Sequence, residues 1–451
     1  MFRKVYESSH VGIFQDEEVR VLYKPDSQEL KVIPRDCGFD DDVLRRSELT
    51  PSVTESRPAT RNLMLRLLIT SRCNLNCAYC QMKKLTGGER LDMSCQVIDE
   101  ILRHIANEKY DYVTIHFSGG EPLIAINKIN DVCREVKRLG IKNVRFAIST
   151  NGTLLDNPKN ISVLAENHIH TIVSIDGLSG ANGKRLDFSK RDSTESVLRA
   201  CRKAADAGLS LGISTVFVKE NSGRAVELVD YLYSEYFIRS LGFNYQHYSG
   251  FGKDNVDTDM DYMEEYTQTL VSVSNFCREH DIFEEQSNRM IEPFVFSRKR
   301  TRHCTSQSSQ ITVMPDGDVS PCKTFASAKK DTARYSEWLS GCFGDVLNKW
   351  RFRSTDTIAQ CGRCLYRNIC GGGCPYEAYV DFGDIMHPDY RYCAVPRGFF
   401  VAMLDVMKAK GAFQSVDSGG SVGEEAKKCL LTCRDPDLYG VTTSVGHMLE
   451  L

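Results

Sequence analysis

Eighteen cysteines in a chain of 451 residues constrain this fold more than any other feature, because the densest of them are grouped rather than scattered. Cys73, Cys77 and Cys80 lie within TSRCNLNCAYCQ, and Cys361, Cys364, Cys370 and Cys374 lie close together further on. These are metal-ligand spacings. The N-terminus MFRKVYESSHVG lacks the apolar core of an export signal, so a disulfide framework is not expected and the predicted compartment is the cytoplasm. No apolar run approaches the ~20 residues that span a bilayer. The 57 Lys and Arg against 60 Asp and Glu leave a net charge of −3, without the basic excess that grips nucleic-acid phosphates. Neither a membrane nor a nucleic acid is an expected partner.

The apolar patterning divides the chain into five parts. Residues 1–60 read as a small β-rich segment ending in the polar linker SELTPSVTESRPATR. Residues 61–250 alternate strands with helices, the strand candidates being 63–70, 112–119, 144–150, 171–177, 211–218 and 241–248. Val97, Ile98, Ile101, Leu102 and Ile105 form one helical stripe able to cover a sheet. Six such units predict an α/β fold with a parallel sheet closed only in part, a partial (β/α)6 barrel whose chemistry belongs in the loops beyond the strands' carboxyl ends. Residues 251–302 read as a polar helical bridge. Residues 303–405 lose periodicity as Cys and Gly density rises, as where metal replaces hydrophobic burial. Residues 406–451 form a tail containing SVDSGGSVGEE.

Cys73-x3-Cys77-x2-Cys80 directly follows the first barrel strand. Three soft thiolates hold three irons of a 4Fe-4S cluster and leave the fourth open, whereas a structural zinc site wants four protein ligands. This loop, with Tyr79 as the aromatic before its last cysteine, resembles that of the radical S-adenosylmethionine (SAM) enzymes, and the resemblance covers about residues 62–250. It implies that SAM binds the open iron and that its reductive cleavage yields a 5′-deoxyadenosyl radical that abstracts hydrogen from the substrate. By the same resemblance, Ser118, Gly119, Gly120 and Glu121 of SGGEP meet the SAM amino group. Ser149 and Asn151 of STNGT, with Ser174 and Asp176 of SIDG, serve ribose and methionine. Turns and helix caps use these same residue types. Arg185 is expected either to pair with a carboxylate or to be an ordinary surface arginine.

The later array, Cys304-x12-Gly317-x4-Cys322, then Cys361-x2-Cys364-x5-Cys370-x3-Cys374, then Cys393, resembles the SPASM extension. That likeness implies two auxiliary 4Fe-4S clusters and three in all. One would be closed by Cys361, Cys364, Cys370 and Cys393, and the other held by Cys304, Cys322 and Cys374. Either Cys342 completes the second, or one iron stays open to a substrate thiolate. Two Cys pairs also suit a zinc ribbon. Cys37, Cys95, Cys133, Cys201 and Cys277 are isolated, most of them reading as buried apolar residues, and Cys429-x3-Cys433 is unassigned.

The resemblance implies a peptide maturase that installs an oxidative thioether or carbon-carbon crosslink in a ribosomally made precursor peptide bearing a leader, with a flavodoxin- or ferredoxin-type electron donor. Residues 1–60 are short for a complete leader-binding module, which would work by adding the peptide as a strand. Formylglycine generation on a sulfatase is the closest competitor. A non-catalytic iron-sulfur or zinc-stabilised binding protein is the alternative of another class. No catalytic acid or base is identified. Tyr245, His247 and Tyr248 end the sixth strand candidate, and Asp316 and Asp318 lie near a cluster cysteine.

Overall fold

The computed structural model describes residues 1–33, 61–80, 82, 90–178, 180–247, 260–327, 329–414, 416 and 420–433. The linker, Cys37, Tyr248 and the end of the tail lie outside the described residues.

A ten-stranded sheet organises the protein, in the order β11 (Phe283–Glu284), β10 (Ser240–Asn244), β9 (Leu211–Val216), β8 (His170–Ser174), β7 (Val144–Thr150), β6 (Tyr112–Gly119), β5 (Asn62–Thr70), β12 (Gln310–Val313), β13 (Asp318–Ser320), β14 (Ala333–Arg334). Its centre is the predicted parallel series: β5 (Asn62–Thr70), β6 (Tyr112–Gly119), β7 (Val144–Thr150), β8 (His170–Ser174), β9 (Leu211–Val216) and β10 (Ser240–Asn244). Alternation in β5 shows why it is central. Leu63, Leu65, Leu67 and Ile69 enter the main core, while Met64 and Leu68 join small separate clusters on the other face. A strand buried on both faces belongs inside a parallel sheet covered by helices.

The helices follow their sequence signals. In α1 (Cys95–Asn107) Ser94 accepts from the Val97 amide, and the buried stripe is Val97, Ile98, Ile101, Leu102 and Ile105. The covering continues through α2 (Ile126–Arg138), α3 (Pro158–Glu166), α4 (Thr194–Asp206) and α5 (Ala225–Tyr236). After β10 come α6 (Met260–Glu279), β11 (Phe283–Glu284) and α7 (Glu285–Val295). The polar reading of this stretch holds by composition but not by exposure, since Glu285, Gln286, Ser287, Asn288 and Glu292 of α7 are all buried. Glu284 caps α7, accepting from the Gln286 and Ser287 amides.

The cysteine-rich part is joined to the barrel by backbone pairing. Strand β12 (Gln310–Val313) runs parallel to β5, with Gln310 opposite Met64 and Val313 opposite Leu67. Beyond it lie β13 (Asp318–Ser320) and β14 (Ala333–Arg334), both antiparallel to their neighbours. Short helices follow: α8 (Lys323–Ser327), α9 (Tyr335–Leu339), α10 (Gly344–Phe352), α11 (Arg367–Cys370) and α12 (Pro375–Phe382), then the longer α13 (Ala394–Ala409).

The N-terminal segment is a four-stranded antiparallel meander, β1 (Arg3–Glu7), β2 (Gly12–Gln15), β3 (Arg20–Lys24) and β4 (Glu29–Ile33). It docks on the C-terminal part through Phe14 and Tyr23, whose rings meet Phe400 at 5.2 and 4.6 Å between centroids. Arg367 pairs with Asp26 at 2.5 Å. The tail returns to it: Val32 donates to the Gly420 carbonyl (3.1 Å) and Val422 to that of Leu30 (2.7 Å), placing residues 420–422 along β4. Among the described residues no helix is long and apolar enough to cross a membrane.

Candidate functional site

The loop carrying Cys73, Cys77 and Cys80 leaves the carboxyl end of β5, and the neighbouring strand ends hold it. Gly120 and Glu121, just past β6, donate their amides to the carbonyls of Thr70 (2.8 Å) and Arg72 (2.7 Å). This close approach explains the two glycines. Gly119 has φ +131°, and a Cβ on Gly120 would meet the Arg72 carbonyl oxygen at 2.2 Å.

Glu121 is fully buried and acts as a hub. Its carboxylate accepts from the Thr150 hydroxyl (2.7 Å), the Asn151 amide (2.7 Å) and the Leu123 amide (3.0 Å). Burial raises its pKa, against those hydrogen bonds and the Arg185 charge. The Asn151 side chain then donates to Asn74 (2.9 Å) and approaches the Cys73 sulfur at 3.8 Å, while Asn74 donates to Thr153 (2.7 Å). Asn74 was not singled out in the sequence, where an asparagine in a short loop is an ordinary turn former.

The other flank is fixed by the segment after SIDG. The amides of Asn76 and Ala78 donate to the carbonyls of Leu186 (2.7 Å) and Lys184 (2.8 Å). Arg185, between them, is buried and donates to the Tyr79 hydroxyl (2.7 Å), which in turn donates to Asp176. Asp176 also accepts from the Val216 amide (3.0 Å). Burial raises the Asp176 pKa, and the Arg185 charge opposes the rise. Of the two expectations for Arg185, the structure places it beside a carboxylate through Tyr79, and Asp176 is engaged by protein groups on both oxygens. Ser118 and Ser174 are half-buried at their strand ends, and Ser149 meets His116 Nε2 at 2.8 Å.

The three thiols fit a cluster by donor chemistry and by mutual influence. Burial pushes the Cys73 thiol up to about 11, with further raising from Glu121, Cys77 and Cys80. Metal binding at such thiols releases protons, so affinity falls as pH falls.

The later cysteines form two neighbourhoods. Cys361 feels Cys370 and Cys364, and Cys393 feels Cys370 and Cys364, after burial in each case. Cys322 feels Cys304, and Cys374 feels Cys322. Cys342 is exposed in the turn between α9 and α10, with the Ser340 hydroxyl 3.3 Å from its sulfur. Arg353 is fully buried near both neighbourhoods, its charge partners being Cys374, Cys361, Asp389 and Cys370. It donates to the carbonyls of Ile385, Gly372 (3.0 Å), Gly373 (3.1 Å) and His387 (2.9 Å). Among the described residues no three His, Cys, Asp or Glu side chains converge on a single ion.

Tyr245 and His247 face the C-terminal part. His247 Nδ1 lies 3.1 Å from Glu377, which also pairs with Arg391, and the Tyr245 hydroxyl is 3.5 Å from Asp389. Asp316 and Asp318 serve a turn and an ion pair with Arg334 (2.7 Å for Asp318). Cys133, Cys201 and Cys277 are buried as expected, whereas Cys95 is exposed at the start of α1.

Residues 67–232 match the model of the Radical SAM superfamily. The PqqA peptide cyclase of Granulibacter bethesdensis is 24% identical over 76% of this chain and 90% of that protein. The cysteine-type anaerobic sulfatase-maturating enzyme of Clostridium perfringens is 25% identical over 69% of this chain and 88% of that protein. An uncharacterised protein of Methanocaldococcus jannaschii is 31% identical, and the match spans 61% of its length. Among solved structures, native anSMEcpe with bound AdoMet superposes with a TM-score of 0.63 at 20% identity, over 76% of this chain and 97% of that one. Streptococcus suis SuiB bound to S-adenosylmethionine superposes with a TM-score of 0.53 at 17% identity, over 84% of this chain and 99% of that one. With the thiol loop at the end of β5 and the strand-end network around it, residues 67–232 form a radical SAM domain, and the chain has peptide and protein maturases among its relatives.

Proposed function

We propose that the protein is a maturase that oxidatively crosslinks a ribosomally made peptide. Cys73, Cys77 and Cys80 hold the SAM-binding 4Fe-4S cluster. When bound, that cluster and SAM supply a hydrogen-abstracting radical. The chain's own residues do the rest: Glu121 and Asn151 fix the loop, Arg185 and Tyr79 lock its far side, and the strand-end groups Ser118, Ser149 and Ser174 offer donors and acceptors for SAM. Cys361, Cys364, Cys370 and Cys393 hold one auxiliary cluster, and Cys304, Cys322 and Cys374 the other, completed by Cys342 or left with one iron open to substrate. Clusters held by these cysteines would take up the electron given up by the oxidised product, and a flavodoxin- or ferredoxin-type protein would supply the reducing one.

The observation that carries this reading is the three-thiol loop, held from both sides by buried polar groups at the sheet's carboxyl edge. The choice of peptide crosslinking is supported by the cyclase relative and by SuiB, which has been solved with its precursor peptide SuiA. Formylglycine generation is the second reading, favoured by the TM-score to anSMEcpe.

The test is anaerobic reconstitution with reductant and SAM, followed by incubation with Cys-rich or aromatic-rich peptides encoded beside the gene. A product two hydrogens lighter is expected, together with 5′-deoxyadenosine. Replacing Cys77 by Ala abolishes both. Cys370→Ala retains SAM cleavage and loses the product. Modification confined to a sulfatase peptide overturns the crosslinking choice, and absence of 5′-deoxyadenosine overturns the enzyme reading.

A further inference from the structure

Spacing leaves the role of Cys342 open, and the fold separates this thiol from its expected partners. Hydrogen bonds made by their neighbours draw Cys304, Cys322 and Cys374 together. The Cys304 amide donates to Gln307 (3.1 Å), and Gln307 donates to the carbonyl of Arg353 (3.0 Å). The Arg353 guanidinium in turn donates to the carbonyl of Gly373 (3.1 Å), the residue before Cys374. From the other side of Cys304, Thr305 donates to Gln310 (3.0 Å), and Gln310 donates to the carbonyl of Pro321 (2.7 Å), the residue before Cys322. Phe325 of α8 closes the third side. Its ring lies 5.4 Å from that of Tyr376 and 5.0 Å from that of Tyr379, both on α12, which begins directly after Cys374.

This neighbourhood is tied to the inner face of the sheet. The Ala326 amide donates to the Cys322 carbonyl (3.0 Å), and Ala326 packs with Leu68 and Met314, with Met82, just past Cys80, against them. Leu68 points away from its neighbours Leu67 and Ile69, which enter the main core. The three thiols therefore share a face with the loop of Cys73, Cys77 and Cys80.

Cys342 is carried to the outside. Four residues before it, the Trp338 ring meets that of His104 at 5.5 Å on α1, the helix whose stripe covers the Leu65 and Leu67 face. Directly after it, Phe343 is buried in the main core, and Cys342 itself is exposed. Helix α10 then leads back toward the site, where the Trp350 ring meets Phe325 at 4.7 Å. Trp350 lies about 9 Å along that helix from Gly344, so Cys342 stands off by most of its length. Other described thiols are placed elsewhere: Cys95 is exposed at the start of α1, and Cys133, Cys201 and Cys277 are buried within α2, α4 and α6. Cys429 and Cys433 belong to the tail, where the Leu430 carbonyl accepts from Arg278 of α6 (3.1 Å).

We propose that Cys304, Cys322 and Cys374 make a three-thiolate site whose remaining ligand comes from the substrate, as a cysteine thiolate of the peptide, and that Cys342 is a surface thiol outside it. The proposal rests on the reading that these three cysteines hold an auxiliary 4Fe-4S cluster. Cluster iron favours soft sulfur donors, so a position lacking a protein thiol selects a peptide cysteine over a serine. The peptide thiol gives its proton to solvent on binding, and its hold weakens as pH falls. Its place on the inner face brings the bound cysteine to the side of the sheet that carries the SAM loop.

The test begins with iodoacetamide labelling of the anaerobically reconstituted full-length protein, mapped by mass spectrometry. Cys342 is expected to react at least about tenfold faster than Cys304, Cys322 or Cys374, whose thiolates metal holds. Cys342→Ser should keep the full iron and sulfide content. Cys322→Ser should lose that of one cluster, with Cys304→Ser serving if the first variant does not fold. The ligand position is read in the chain carrying Cys73→Ala, Cys77→Ala and Cys80→Ala, which has no SAM-binding cluster. There N-acetylcysteine amide should shift the electron paramagnetic resonance of the reduced clusters, and N-acetylserine amide should not. Protection of Cys342 or Cys37 that chelation removes overturns the proposal, because a protein thiol then completes the site. So does a resonance indifferent to N-acetylcysteine amide. Unaltered iron in Cys322→Ser and Cys304→Ser overturns the auxiliary-cluster reading instead.

Discussion

The two cysteine-bearing regions are held in place by different means. The loop of Cys73, Cys77 and Cys80 hangs from a sheet whose strands are buried on both faces, and its restraints come from strand ends, through Glu121, Asn151, Tyr79 and Arg185. The region of Cys304 to Cys393 is built on short helices, with a separate apolar cluster of Phe325, Trp350 and Ile385. Buried arginines bind backbone carbonyls there: Arg353 as described, and Arg300 with the carbonyls of Ile369 (3.1 Å) and His303 (3.1 Å). Its three consecutive glycines, Gly371, Gly372 and Gly373, all have positive φ, and a Cβ on Gly371 would meet the Arg302 carbonyl oxygen at 2.4 Å. A site on a rigid sheet is preformed, whereas one built on turns leans on whatever its thiols bind.

The sharpest way to break this contrast is to remove iron. Hydrogen exchange after anaerobic chelation should quicken in residues 303–393 by about 100-fold or more, as a metal-held region opens, and by little in β5–β8. Equal quickening in both regions ends the comparison. Next in size is Arg353→Met, which leaves the carbonyls of Ile385, Gly373 and His387 without their donor, while that of Gly372 keeps the Asp389 amide. It should cost about 3 kcal/mol in urea unfolding of the C-terminal part, with 5′-deoxyadenosine formation retained. The smallest effect belongs to the docked meander, where Asp16 accepts from Lys408 at 2.6 Å. Burial alone would raise Asp16, but Lys408 and the Val19 and Glu18 amides win and hold it near 2. A lowered carboxylate pKa stabilises the fold above its unfolded value of about 4 and loses that contribution as pH falls toward 2. Lys408→Met should therefore cost about 1 kcal/mol at pH 7 and almost nothing near pH 2, read from urea midpoints.

Periodicity made much of this legible. The strands at 112–119 and 144–150 and the stripe of α1 follow directly from where apolar residues fall. Spacing made the thiol groups legible as well. What escaped is what apolar pattern does not encode. The residues of β12, QITV, are four in number among turns and cysteines, and only long-range pairing with β5 makes them a strand. Helix α7 buries polar side chains, so a polar sequence reads as exposed when it is not. Arg185 and Asn74 gain their roles from partners 106 and 79 residues away, Tyr79 and Thr153, which no local window contains.

The tail strand beside β4 has a consequence for how a guest peptide can lie on the meander. With residues 420–422 already lying along that margin, a visiting strand at β4 must first displace this segment of the chain itself, whereas among the described residues no strand pairs with the outer side of β1.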